Sequence, residues 1–453
     1  MKRTAVINVV GLTSKWIGAH TPFLKQWSST RWTTAIKPVL PAVTCSAQST
    51  YLTGRWPAHH GIVGNGWYFK EECEVKFWRQ SNHLVQAPKL WDLVRKEDPE
   101  FTCANLFWWY NMYSTVDFSV TPRPNYLADG RKIPDIYSHP PELRDQLQSE
   151  LGQFPLFDFW GPRTSIKSSQ WIAQAAKKTE KLYQPTLSLV YLPHLDYNFQ
   201  RYGQDEAKIT IDLKEIDSVC ADLINFYEKQ KVQVIILSEY GITDVHRPIA
   251  LNRVLRKNGY LQIREERGLE LLDAGASRAF AVTDHQIAHI YVNEAAFIPE
   301  VKGLLENVPG IEKVLDMKAK TENHLDHNRS GDLIAVADKD SWFSYYYWLD
   351  DNKAPDFART VDIHKKPGYD PVEMFTDPKI KFLAPKVAGK ILKKKLGFRV
   401  LMDLIPLDDS LVKGSHGRIP ESKDDWPLLI SNSPTEELLA TEVAQIIIKH
   451  LTV

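Results

Sequence analysis

Short apolar runs alternate with amphipathic stretches along most of this chain, and that alternation predicts its architecture. Residues 4–10 (TAVINVV) form a continuous apolar, β-branched run of strand length, as expected of a strand buried on both faces of a parallel sheet. The runs at 102–108, 186–192 and 232–237 read the same way, and TTAIKPVLP (33–41) reads as a strand ending in a proline-bounded loop. Residues 20–29 have helical potential, and the segment from Val43 predicts a short helix stopping at Gly54. Helices are also predicted at 168–183, 249–258 and 208–229. In the last of these, Leu213, Ile216, Cys220, Leu223 and Tyr227 recur every three to four residues. Such alternation implies an α/β fold: a mostly parallel central sheet flanked by helices, with ligands at the carboxyl ends of the strands.

Two stretches depart from this pattern. Residues 114–165 are rich in proline and aromatics and read as a cap inserted in the main domain, because aromatics need burial. From about 278 the order becomes β-α-β-β (279–292, 295–308, 311–316, 331–338), which predicts a small α+β subdomain over 278–337. The core domain would then comprise 1–277 and 338–453. A final helix is expected from SPTEELLATEVAQIIIKHL, with Ser433 as N-cap, Pro434 at the first helical position and Glu436 closing a capping box. Leu438, Leu439, Val443, Ile446 and Ile447 would form its core stripe.

Composition narrows the class. A chain of 453 residues has room for about three domains, or one large domain with insertions. Its 56 basic and 56 acidic residues cancel, which argues against a dedicated nucleic-acid binder. Four cysteines without a CxxC pair are neither a disulfide framework nor a zinc ribbon. No apolar run approaches the roughly 18–20 residues of a membrane span. The N-terminal apolar stretch reads as the first strand rather than a signal peptide, so a cytoplasmic location is expected.

Polar residues follow several of the apolar runs. Asn8 closes the first, Asp196 and Gln200 follow the run at 186–192, and Glu239 and Tyr240 follow 232–237. Thr44 opens the predicted helix after the second strand, His60 and Asn65 lie in AHHGIVGNGWY, and His416 lies in KGSHGR. A hydroxyl at a helix N-terminus sits in positive backbone potential, which favours its alkoxide and an incoming anion. The plain reading of such a threonine is an N-cap.

These segments, in this order, resemble the alkaline phosphatase superfamily, specifically its nucleotide pyrophosphatase/phosphodiesterase branch and the related phosphonoacetate hydrolases. PAVTCSAQSTYLTGRWPAHHGIVGN is similar to the branch's nucleophile segment, LVYLPHLDYNFQRYG to a metal-aspartate segment, VIILSEYGI to the Ser-Asp-His-Gly segment, and GSHGR to the late His-Gly segment. NHLDHNRSGDLIAVAD resembles the family's small subdomain. The resemblance implies that Thr44 is the nucleophile and that Asn65 donates to a phosphoryl oxygen beside the Thr44–Cys45 backbone. His60 and Arg79 are further candidate substrate contacts. One metal position would read Asp196, Gln200 and His416, and the other Asn8, Thr44, Glu239 and Tyr240.

Where the family has Asp, His and His, this chain has Asn8, Gln200 and Tyr240, and Glu239 stands for an Asp. The resulting oxygen-rich set with one histidine suits Mg²⁺ or Mn²⁺ better than a di-zinc pair, and fits two ions, one or none. The function implied is a metal-dependent hydrolase (zinc, manganese or magnesium) of phosphodiester, pyrophosphate or phosphonate substrates. The alternative is a catalytically impaired member that binds a small molecule or serves as a partner in a biosynthetic complex.

Other features carry less. His285 and His289 are four apart, but a strand there favours a structural role. Asp326 and His327 read as a hydrogen-bonded loop pair, and Arg123 and Arg163 as surface or ion-paired groups. The clusters 107–113 and 344–350 read as packing, or else as an aromatic wall for a substrate. Cys45 at a helix start could gain thiolate character. Residues 386–399 form a basic amphipathic segment, read as a solvated helix face or as a contact for an anionic membrane surface.

Overall fold

The structure is a computed structural model that describes residues 1–433 and 436–452. Its main sheet is built from strands β1 (Thr4–Val9), β2 (Trp32–Lys37), β3 (Cys103–Leu106), β4 (Phe118–Pro122), β5 (Ile136–His139), β6 (Leu187–Leu192) and β7 (Gln233–Leu237). A second, four-stranded sheet follows: β8 (Ala279–Asp284), β9 (Ile287–Val292), β10 (Ile311–Leu315) and β11 (Leu333–Ala337). Strands β12 (Leu428–Ser431) and β13 (Leu438–Leu439) return to the main sheet.

The nine main strands lie in the order β13-β2-β12-β7-β1-β6-β3-β4-β5. The five from β7 to β4 are mutually parallel, and β12 and β5 join them antiparallel. Every residue of β1 and β6 is buried, which explains their predominantly apolar sequence. Helix α1 (Thr44–Thr53), preceding α2 (Ile166–Tyr183), ends at Gly54, whose φ of 63° supplies the left-handed cap. Helices α3 (His194–Tyr202) and α4 (Glu206–Lys229) pack together after β6, and α5 (Val443–Thr452) packs on α1 and β1.

The stretch 114–165, expected as a cap inserted in the main domain, supplies β4 and the edge strand β5 to the main sheet. Two expectations are corrected. Residues 279–292 are not one strand but the hairpin β8–β9, turned at His285 (φ 62°) and Gln286. The final helix starts at Val443, because Leu438 and Leu439 pair with Ile36 and Lys37 as a strand. Glu436 is exposed, and Pro434 lies outside the described residues.

Two large hydrophobic cores and two smaller clusters result. The first surrounds the main sheet; the second lies under the four-stranded sheet and contains Tyr345, Tyr346, Tyr347 and Trp348, so the 344–350 cluster is packing. The aromatic run 107–113 joins them: Phe107 and Trp108 lie in the first core, Trp109 and Tyr110 in the second. Three residues of this run, Phe107, Tyr110 and Tyr113, have positive φ. Bulky side chains pay steric strain there, and such strain gathers where tertiary packing over-determines the backbone.

Candidate functional site

The strand ends converge on Thr44. Its hydroxyl does not cap α1; the N-cap position is Val43 and no side chain caps it. Instead Thr44 Oγ lies 3.1 Å from the Tyr240 hydroxyl, which donates to Asp196 Oδ1 at 3.2 Å. Thr44 also hydrogen-bonds the Glu239 carboxylate, so its hydroxyl lies between Tyr240 and Glu239. Asp196 stands in the first turn of α3, and Gln200, one turn later, donates to its other oxygen at 2.7 Å. Tyr369 donates to Gln200 Oε1 at 2.9 Å. Glu239 follows β7, and its Oε1 accepts from Asn8 Nδ2 and Gln48 Nε2, each at 2.5 Å.

Aromatic rings close one side of the cluster. Tyr240 and His416 stack with centroids 3.6 Å apart, His285 lies 3.6 Å from His416, and Tyr369 lies 3.8 Å from His285. His416 Nδ1 is held 2.7 Å from the Ala42 carbonyl oxygen, and its Nε2 is 3.8 Å from Asp196 Oδ1. The backbone at His416 passes close to α3: a Cβ on Gly414 would lie 2.1 Å from the Phe199 carbonyl oxygen, so only glycine fits. Trp109, from the strained run, donates its backbone N–H to Gln48 Oε1 at 2.5 Å.

Asn65 is oriented away from the open role expected for it. Its Oδ1 accepts from the Cys45 N–H at 3.0 Å, and its Nδ2 donates to Asp284 Oδ1 at 3.0 Å. His60 is fully buried and ties α1 to the following turn, lying 3.1 Å from Thr50 Oγ and accepting from the Ile62 N–H. Arg79 is not brought to Thr44; it lines a separate surface hollow of about 280 Å³ with Lys76 and Arg123. Burial pushes the Cys45 thiol up, which corrects the expectation of thiolate character.

Burial also sets the charge state. It pushes Asp196 up to about 7 against the pull of Tyr240 and Gln200, and Glu239 up to about 8 against Gln48, Asn8 and Thr44. His416 is pushed down to about 3 and His285 well below its usual value, so both rings are neutral. Among the described residues, no lysine or arginine pairs with either carboxylate.

A stability consequence follows. A carboxyl raised in the folded state binds its proton more tightly there than in the unfolded chain, so stability falls as pH rises from the unfolded value to the folded one. For Glu239 that window runs from about 4.5 to about 8. Glu239→Gln preserves the acceptor for Asn8 and Gln48 and removes the titration. Its melting temperature is expected to exceed that of the wild type at about pH 8 and to match it near pH 5. Parallel thermal melts across that range test this, and an unchanged difference at both ends would refute it.

Comparison with known proteins adds the family. The model of the type I phosphodiesterase / nucleotide pyrophosphatase family matches residues 4–370. The chain belongs to that family. Its fold is shared by murine ectonucleotide pyrophosphatase/phosphodiesterase 5 (NPP5), solved as an inactive variant with AMP, at 13% identity and a TM-score of 0.60, covering 100% of this chain and 96% of that one. Phosphonoacetate hydrolase from Sinorhizobium meliloti, with phosphonoformate, aligns at 13% identity and a TM-score of 0.62, covering 99% and 96%. An uncharacterised pyrophosphatase/phosphodiesterase of Schizosaccharomyces pombe is 24% identical over 222 residues, 48% of this chain and 39% of its own length. The α/β fold of this chain is the one these solved structures share.

The donor set does not fit a two-ion centre of this family. Gln200 spends both ends of its amide, donating to Asp196 and accepting from Tyr369, and Asn8 turns its N–H group toward Glu239. The Tyr240 hydroxyl bridges Thr44 and Asp196 and stacks on the sole histidine ligand expected. Three buried atoms, Asn8 Oδ1, Glu239 Oε2 and His416 Nε2, lack hydrogen-bond partners, yet they belong to a framework bonded around tyrosine. Among the described residues, the one trio of metal-ligating types within mutual reach is His194, Asp212 and Glu215, outside this cluster. His194 Nε2 lies 3.2 Å from an oxygen of each carboxylate, and these charges overcome burial to raise its pKa, as in a buried ion pair.

Four participants were not singled out as site residues from sequence: Gln48, Asp284, His285 and Tyr369. Gln48 lies one helical turn beyond Thr44, so the spacing in α1 was a usable signal. Asp284 ends β8 and His285 sits in the hairpin turn that follows, inside a stretch whose pattern reads as one strand, and Tyr369 arrives from a loop with no local signature.

Proposed function

We propose that this chain hydrolyses a phosphodiester, pyrophosphate or phosphonate substrate, with Thr44 as nucleophile. The observation that carries the reading is the hydrogen-bonded series Thr44–Tyr240–Asp196 at the strand ends. Thr44 Oγ attacks phosphorus and its proton passes to the Tyr240 oxygen, while Tyr240 passes its own proton to the Asp196 carboxylate. The Oγ–P bond forms, the bond to the leaving group breaks, and water then hydrolyses the phospho-threonine. Asp196 serves this role in its ionised form, which a pKa of about 7 makes available at neutral pH.

The neighbours solved with AMP and phosphonoformate support a ligand that bears a phosphate or phosphonate group.

No step uses a metal, so dialysis against a chelator is expected to leave turnover within about twofold, and Tyr240→Phe to lower it at least about 100-fold. Activity lost on chelation and restored by zinc or manganese overturns the relay. A second reading, a ligand-binding member without turnover, is favoured by the burial of Thr44, 4% exposed beneath the aromatic rings. A screen of nucleotide diesters, dinucleoside pyrophosphates and phosphonoacetate separates the two. Saturable binding without product in every case supports the binder.

A further inference from the structure

The helix Leu383–Lys395 is turned inside out. In a soluble protein the apolar stripe of a surface helix lies on the core. Here no residue of the helix is buried, and the half-buried side consists of Leu383, Lys386, Val387, Lys390 and Lys394, spaced three and four apart. Lys386 and Lys390 reach Asp403, which fastens that side to the body of the protein. The outward side carries Ile391 and Leu392, 45% and 59% exposed. Around it, Phe382 is 74% exposed, Leu396 67% and Phe398 64%. Residues 381–401 contain seven lysines and arginines and no aspartate or glutamate.

We propose that this face docks the protein on an anionic membrane surface. Two independent features agree. Outward leucine and phenylalanine side chains are costly in water and gain by insertion at the headgroup–acyl boundary. Lys386 and Lys390 share Asp403, but the remaining positive charge, on Lys393, Lys394, Lys395 and Arg399 among others, is attracted to anionic headgroups. A second copy of this chain is the poorer occupant, because it would bring two such positive faces together. The fold presents the face ready-made: Arg399 donates to the Ala128 carbonyl oxygen at 2.9 Å, and Lys390 to that of Leu401 at 2.6 Å, so both flanks are held. No helix of the described residues is long and apolar enough to cross a membrane, so the contact is with the surface alone.

The test is co-sedimentation of the full chain with vesicles of phosphatidylcholine, with and without phosphatidylserine. Binding is expected on the serine-containing vesicles, weak on pure phosphatidylcholine, and reduced by high salt. The double variants Leu392→Glu/Leu396→Glu and Lys393→Glu/Lys395→Glu alter exposed positions and should melt as the wild type does. Each is expected to bind at least about tenfold more weakly. Absence of the wild type from anionic vesicles at low salt overturns the proposal, as does equal binding by both variants. Dimerisation in solution without lipid, abolished by Leu392→Glu/Leu396→Glu, would instead assign the face to self-association.

Discussion

Thr44→Ala is expected to reduce turnover of a phosphodiester substrate at least about 10³-fold while leaving the fold intact. The size of the effect comes from the loss of the attacking atom itself: the other hydroxyl in the first turn of α1, Ser46, is fully buried and committed to the Pro41 and Val43 carbonyl oxygens. The tolerance of the fold comes from the hydrogen-bond arrangement. Thr44 does not cap its helix, and Tyr240 keeps Asp196 as acceptor when the threonine hydroxyl is gone. Glu239 likewise keeps Asn8 and Gln48 as donors, which limits the cost of losing the threonine hydroxyl. Thr44→Ser should retain part of the activity because it keeps the oxygen. The measurement is steady-state turnover with mass-spectrometric detection of the phosphorylated Thr44 peptide. Equal rates for wild type and alanine variant would remove Thr44 from the chemistry and leave the ligand-binding reading. Identical unfolding curves would show that the loss is chemical.

Lys366→Ala is expected to destabilise the protein by about 3–5 kcal/mol. Lys366 is 1% exposed, and its ammonium sits 2.7 Å from Asp370 and 2.7 Å from Glu373, both themselves buried. Burial alone would drive the ammonium to its neutral form, but the two carboxylates more than reverse that and raise its pKa. Removing the lysine leaves two buried acidic groups facing each other with no counter-charge. Glu373 also accepts from the Trp160 ring N–H at 2.6 Å and the Asp362 N–H at 2.9 Å, so the damage spreads to the loop that delivers Tyr369 to Gln200. Urea denaturation measures the effect. The triple variant Lys366→Met/Asp370→Asn/Glu373→Gln should recover much of the loss, since it removes all three charges together. A shift below about 1 kcal/mol for Lys366→Ala would mean the triad is not desolvated.

Much of this protein was legible along the chain. The buried strands announced themselves because a strand covered on both faces must be apolar throughout, and that requirement is local. Thr44 at a helix start, and the polar residues after each apolar run, were equally readable, since strand ends and helix starts are set by nearby residues. The order of those segments was enough to place the chain in its family.

What only the tertiary structure decided are pairings between distant positions. Residues 118–122 and 136–139 are strands because an existing edge offered them hydrogen bonds, although their own pattern suggested an insertion. Leu438 left its expected helix for the same reason, pairing with Ile36 across about 400 residues of sequence. The site shows this most clearly. Asn8, Gln200 and Tyr240 looked like damaged metal ligands one by one, yet together they form a hydrogen-bonded network around two carboxylates. Whether a polar side chain is a vacancy or a partner depends on what faces it, and three-dimensional proximity at about 3 Å is not encoded in local pattern.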